Sequence, residues 1–242
     1  MDVEHEMLNC VVGLGGDRVS NSVGESPNFE NADFIFKEQK VISELKSLEE
    51  NKILDERIIQ KASNLYIEEL ASGKAPVVLF GTRVMTTHGF SGEFTKKIID
   101  LYKIPIQRVV KKANNQIKET KKALNLPDFK GLLIIANNNH NALDPWHADY
   151  ILGQILRKPD YSSINTAIYL SADQTSIHPE SKKEFGVWIV KHRTQIPGIS
   201  NDFLEKFRNA WFVHYSNVKG EKKHFQFQVN ESQLAVLKNK NA

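Results

Sequence analysis

The sequence predicts an α/β protein, and three stretches carry that expectation. Gly131-Leu-Leu-Ile-Ile-Ala136 is a β-rich apolar run, bounded by Asn137-Asn-Asn-His-Asn141. Asp144 and Pro145 then have the chemistry of a helix cap and first helical position, opening a helix through Leu156. Phe34-Ile-Phe36 and Val41-Ile-Ser-Glu-Leu45 are two more short apolar runs, joined by the polar Lys37-Glu38-Gln39-Lys40. That pattern is a β-hairpin. Val3, Met7, Cys10, Val11 and Leu14 recur at helical spacing ahead of it. A strand-loop-helix unit combined with a helix and a hairpin argues for sheets covered by helices.

The remaining elements follow in order. Gly13-Leu-Gly-Gly-Asp17 lacks the preceding strand and the Lys-Ser/Thr of a phosphate loop, so it is expected to close the first helix. Arg18 to Glu30 is expected to hold a first strand and a polar loop. Residues 52 to 71 form a helical pattern through Ile53, Ile58, Ile59, Leu65, Ile67 and Leu70. Pro76-Val-Val-Leu-Phe80 is a short buried run, Glu93 to Tyr102 is helical, and Ile106 to Leu126 is a second long helix. Residues 52 to 105 therefore look like an insertion between the hairpin and the next core helix. Thr166 to Leu170 and Gly186 to Lys191 are expected strands, Phe203 to Tyr215 a helix, and His224 to Val229 an edge strand.

With 242 residues, 40% hydrophobic and 25% charged, the chain can bury the core of one large α/β domain. No run of about 18 apolar residues occurs, so no membrane span or membrane partner is expected. The acidic start, Met1-Asp-Val-Glu-His-Glu6, is unlike a signal peptide. The single cysteine, Cys10, allows no intramolecular disulfide and suits a reducing cytoplasm, where it is expected to be a packed thiol.

The chemistry concentrates on the hairpin. Side chains alternate faces along a strand, so Glu44 and Lys46 point one way with Ile42, and Val41, Ser43 and Leu45 the other. Both faces are partly apolar, which implies a strand covered on both sides and partly desolvated charges. Pairing about a turn near residues 38 and 39 brings Asp33 to the Glu44–Lys46 end. Buried charges are costly unless paired or coordinated. Two carboxylates and an ammonium thus form either a cross-strand ion pair or a site that holds a divalent cation beside a phosphate. The tripeptide alone says little, since it recurs at Glu50 to Lys52, Glu119 to Lys121, Glu180 to Lys182 and Glu221 to Lys223. Those copies lie in polar segments and read as solvated charges.

Asp33, followed after a gap by Glu44-Leu45-Lys46, resembles the PD-(D/E)XK signature of the restriction-endonuclease-like nuclease superfamily. The resemblance covers residues 1 to 50 and, more loosely, 106 to 157. It implies a restriction-endonuclease-like core: a helix, a three-stranded antiparallel meander carrying the motif, a helix and a further strand, giving a mixed central sheet flanked by helices. It also implies that Asp33 and Glu44 bind Mg²⁺, with Mn²⁺ as a substitute, and that Lys46 positions or activates the attacking water. Glu4, on the border of the first helix's apolar stripe, matches the first-helix glutamate that many members place near the metal; a solvated, dipole-favoured glutamate is the alternative. The proline of the family motif is displaced here, the nearest being Pro27, with Asn31-Ala32 before Asp33.

Charge is uneven within a net charge of +3. Residues 1 to 56 are rich in acids, whereas Lys96 to Lys130 is rich in lysine. A basic element beside an acidic metal pocket suits DNA, with lysines on the backbone and carboxylates on the cation; a solvated helix face is the plainer account. The resemblance also implies that the helix holding Gln116 and Lys112 flanks the active site, so that either could face it; the plainer expectation for both is an outer helix face. His140, His147 and Asp149 offer a rival site but lack zinc cysteines and metal-ligand spacing. The expected function is a Mg²⁺-dependent DNA endonuclease, which a homodimer would let cut both strands. The alternative is a non-catalytic nucleic-acid-binding or protein-interaction module of the same fold.

Overall fold

The computed structural model describes residues 2–24, 28–49, 55–75, 90–138, 145–172, 176–177 and 184–219. Its first helix, α1 (Val3–Gly13), is capped by Asp2, whose carboxylate accepts the N–H of His5 at 3.1 Å. Val3, Met7, Cys10 and Val11 are buried, one apolar stripe at helical spacing. The glycine turn ends the helix as expected, with Gly15 at φ 78°. Gly16 has a steric reason as well: a Cβ there would meet the Phe36 ring at 2.7 Å.

The first strand is shorter than the sequence implies. β1 (Asp17–Arg18) gives way to a one-turn helix, α2 (Ser20–Val23). The hairpin forms as expected from β2 (Phe34–Phe36) and β3 (Val41–Leu48), paired antiparallel with Phe34 opposite Ser43. Lys40 closes its turn at φ 53°.

Two helices follow, α3 (Glu56–Ala71) and α4 (Gly92–Ala123). The two separate helices expected on either side of Pro105 are one. Proline removes one i→i−4 hydrogen bond, but Phe94 on one side and Ile106 and Val110 on the other are buried, and that burial keeps the axis continuous. None of the α3 residues is buried.

β4 (Lys130–Asn137) lies parallel to β3 and is buried along nearly its whole length, as a central parallel strand should be. Gly131 is obligatory there, because a Cβ would sit 1.9 Å from the Ser163 carbonyl oxygen. α5 (Pro145–Leu156) follows, then β5 (Thr166–Ser171), parallel to β4, and β8 (Trp188–His192), antiparallel to β5. A separate two-stranded ribbon pairs β6 (Ser176–Ile177) with β7 (Glu184–Phe185). The last helix is α6 (Asn201–Lys219).

The result is α/β: a six-stranded, mixed, open sheet ordered β1-β2-β3-β4-β5-β8. Side-chain alternation divides the core in two. Phe36, Val41, Leu45, Leu132 and Ile134 pack with α1 and α6, whereas Ile35, Ile42, Leu48, Leu133 and Ile135 pack with α4 and α5. Among the described residues no helix is long and apolar enough to cross a membrane. The expected cap at Asp144, the run Pro76 to Phe80 and the strand His224 to Val229 lie outside the described residues.

Candidate active site

β2 stops at Phe34 while β3 continues to Leu48. The amide of Leu45 is therefore left without a ladder partner on that side, and Asp33 takes the place of the missing strand. Its Oδ2 accepts the Leu45 N–H at 2.7 Å. Its own carbonyl accepts the N–H of Val19 at 2.9 Å. The register puts Asp33 across from Glu44, because Phe34 pairs with Ser43.

The structure brings Asp33, Glu44 and Lys46 together. The Lys46 ammonium donates to Glu44 Oε1, and the Asp33 and Glu44 carboxyls are close enough to perturb each other. Glu44 is 0% exposed, and its Oε2 finds no hydrogen-bond partner among the described residues. Burial, then the neighbouring Asp33 charge, push its carboxyl up to about 8 against the relief given by Lys46. Asp33 is raised as well, first by burial, with the Leu45 amide and Lys46 opposing. Both carboxyls of the buried pair thus hold their protons more tightly than free ones do, as carboxyls sharing one site should.

Glu4 sits at the same mouth but not in contact. A cavity of about 310 Å³ on the α1 side of the sheet is lined by Asp2, Glu4, Asp33, Leu45, Ser47 and Glu49. Glu4 is largely exposed and lies 3.5 Å from the Arg18 guanidinium, while its charge is felt at Asp33. Glu44 and Lys46 leave β3 on the opposite face to Leu45 and Ser47, so the cavity reaches the trio through Asp33. Among the described residues no set of three or more His, Cys, Asp or Glu side chains is gathered closely enough to hold a metal by itself. Glu6, on the other border of α1, is committed elsewhere: His214 of α6 binds its carboxylate and holds it below the usual carboxylate range.

Several residues at the site were not legible as such. Ser43 and Ser47 carry hydroxyls that are buried and without a partner among the described residues, and Ser47 borders the cavity. Their alternation with Leu45 was the available signal. Gln116, expected on an outer face, is buried and donates to the Asn31 carbonyl at 3.0 Å. Thr120, one turn on, accepts the Ala32 N–H at 2.8 Å. Lys112 is exposed, as expected, and pairs with Glu30 at 3.6 Å. Lys121 is not the solvated charge expected of its tripeptide. It is partly buried, donates to the Ser163 carbonyl, and is pushed down to about 8 by burial.

Asp149 is paired with Lys191 at 2.8 Å, and His140 lies outside the described residues. A smaller cavity of about 200 Å³ between β8 and α6 is walled by Trp188 and Leu204, with His192, Glu205 and Arg208 on its polar side. The His192 Nδ1 there is already hydrogen-bonded to Thr166 Oγ1 at 3.0 Å.

No family model, no curated protein and no solved structure matches the chain.

Proposed function

We propose that this protein is a Mg²⁺-dependent endonuclease, built on a restriction-endonuclease-like core, that hydrolyses DNA phosphodiester bonds at Asp33, Glu44 and Lys46. The observation that carries the reading is the buried Glu44 Oε2, left without a partner beside a second carboxyl and an ammonium. With both carboxylates ionised the cluster holds a net negative charge in a desolvated place. A divalent cation resolves that imbalance, and a buried charge otherwise has to be paired or neutralised. The acidic cavity points the same way, since Asp2, Glu4, Asp33 and Glu49 together would repel a phosphate. The order of elements supports the fold half of the reading: a helix, three antiparallel strands with a one-turn helix after the first, two helices and a parallel strand.

The carboxylates of Asp33 and Glu44 fit a hard cation such as Mg²⁺ or Mn²⁺, which needs one or two carboxylates plus waters and phosphate oxygens. When bound, that cation supplies Lewis-acid stabilisation of charge on the phosphoryl oxygens. Lys46 would hold the attacking water by hydrogen bonding and offset the negative charge that builds on the phosphoryl oxygens. Glu4, at the cavity rim, would help to hold water beside the cation. Arg108, Lys111, Lys118 and Lys122 are exposed at helical spacing along α4 and would hold the DNA backbone without reading its sequence. A second copy of the chain would supply the centre for the opposite strand. Cys10, buried and raised to about 12, is an inert thiol suited to the cytoplasm.

One observation favours the non-catalytic module: Glu44 is wholly buried and its Oε1 is already bonded to Lys46. Calorimetry with Mg²⁺, followed by cleavage assays on linear and circular DNA, separates the two. The nuclease binds the ion and cuts, and Lys46→Ala abolishes cutting while the protein stays folded. A wild-type protein that takes up no Mg²⁺ is the interaction module.

A further inference from the structure

We infer that Gln116 and Thr120 of α4 are positioning residues for Asp33, gripping both sides of the Asn31–Ala32 peptide unit, one unit before the bond that joins Ala32 to Asp33. The carbonyl of that unit, Asn31 O, accepts from Gln116 Nε2 at 3.0 Å. Its N–H, on Ala32, donates to Thr120 Oγ1 at 2.8 Å. The two side chains are one helical turn apart, so they project from α4 in the same direction. Both are buried, Thr120 completely. Gln116 keeps this bond although its Oε1 has no partner among the described residues.

The grip matters because no strand ladder holds this stretch. β2 begins only at Phe34, so residues 28 to 33 depend on other partners for their backbone groups. On the far side of Asp33, its carbonyl is held by the Val19 N–H. Asp33 is thus strung between a peptide fixed by α4 and a carbonyl fixed by Val19, the residue between β1 and α2. Its carboxylate then reaches the Leu45 N–H at 2.7 Å. A liganding carboxylate has to be held to within about 0.5 Å of its working position, and a lone side chain at a strand end is not held so closely unless its backbone is. The clamp stands on the hydrogen bonds alone; its consequence for cation affinity rests on the nuclease reading.

The test uses the full chain with Thr120→Val, Thr120→Ser and Gln116→Met. Hydrogen exchange of the Leu45 amide is followed in metal-free protein, with the Ile168 amide of β5 as a reference, and Mg²⁺ affinity is measured by calorimetry. Faster Leu45 exchange in Thr120→Val and Gln116→Met, unchanged Ile168 and recovery in Thr120→Ser support the clamp. The Mg²⁺ Kd then rises about 10- to 100-fold in the two damaging variants, the usual effect of removing a group that orients a metal ligand. Wild-type Leu45 exchange in both variants overturns the clamp. So does equal acceleration of Leu45 and Ile168, which is general loosening. If Thr120→Val does not fold, Gln116→Met reads the same peptide from its carbonyl side. Faster Leu45 exchange in a protein that binds no Mg²⁺ even as wild type supports the clamp and removes the nuclease reading instead.

Discussion

The carboxylate of Asp33 accepts the backbone N–H of Leu45 at 2.7 Å, so one side chain both stands in for the missing strand beside β3 and belongs to the acidic cluster. Alanine at this position therefore confounds two effects. Asp33→Ala leaves the Leu45 amide without a partner and is expected to cost about 1–3 kcal/mol of stability. Asp33→Asn keeps an acceptor for the amide but not the charge. It should unfold in urea close to wild type while losing Mg²⁺ affinity in calorimetry. Equal Mg²⁺ affinity in wild type and Asp33→Asn would take Asp33 out of the metal site.

The Glu44 carboxyl, raised from 4.5 to about 8, makes stability depend on pH in a defined direction. The folded protein binds this proton more tightly than the unfolded chain does. Stability from Glu44 is thus full below about 4.5 and is lost as pH rises through about 8. Asp33, also raised, adds in the same sense. Urea denaturation across this window should show the decline, and Glu44→Gln should flatten it. Mg²⁺ binding should release a proton and tighten as pH rises towards 8.5. Calorimetry in buffers of different ionisation enthalpy reads that proton directly; no release means Glu44 is not a ligand.

Glu6 predicts the opposite limb. His214 depresses its carboxyl, so the stability it gives is present above the ordinary carboxylate value and lost as pH falls through its folded value. Glu6→Gln should lower the melting temperature at pH 7 and narrow the gap to wild type at pH 3. Because this tie joins α1 to α6 and not to the cluster, Mg²⁺ affinity should be unchanged.

Lys46 and Lys121 belong to copies of one tripeptide in different surroundings. Lys121 is partly buried and donates to the Ser163 carbonyl at 3.3 Å, with no carboxylate paired to it among the described residues. Burying an unpaired ammonium is costly, so Lys121→Met is expected to be neutral or stabilising, by up to about 1 kcal/mol. Chemical denaturation measures this. The same variant should cut DNA at the wild-type rate, in contrast to Lys46→Ala.

Local periodicity made much of this architecture legible. The stripe of Val3, Met7, Cys10 and Val11 gave α1, and the alternation around Lys37 to Lys40 gave the hairpin and with it the meeting of Asp33 and Glu44. What stayed hidden depends on contacts distant in sequence. Thr120 is 88 residues from Ala32, and Gln116 is 85 from Asn31, so nothing local distinguishes them from outer-face polar residues. Pro105 reads as a stop because its lost hydrogen bond is visible in sequence, whereas the burial that outweighs it is not. The Asp33–Leu45 bond was invisible for a related reason: a side chain standing in for a strand leaves no pattern. Nor did the sequence show that Glu4 faces the cavity yet pairs with Arg18.

The central claim is that Asp33 and Glu44 hold a divalent cation and Lys46 works beside it. Titration of Mg²⁺ into the wild-type protein and into Glu44→Gln, at pH 8 and with DNA cleavage followed on the same samples, tests it most directly. The account predicts saturable binding and cleavage by the wild type, with both lost in a folded Glu44→Gln. Cleavage by Glu44→Gln at the wild-type rate, or a wild-type protein that binds no Mg²⁺, would contradict it.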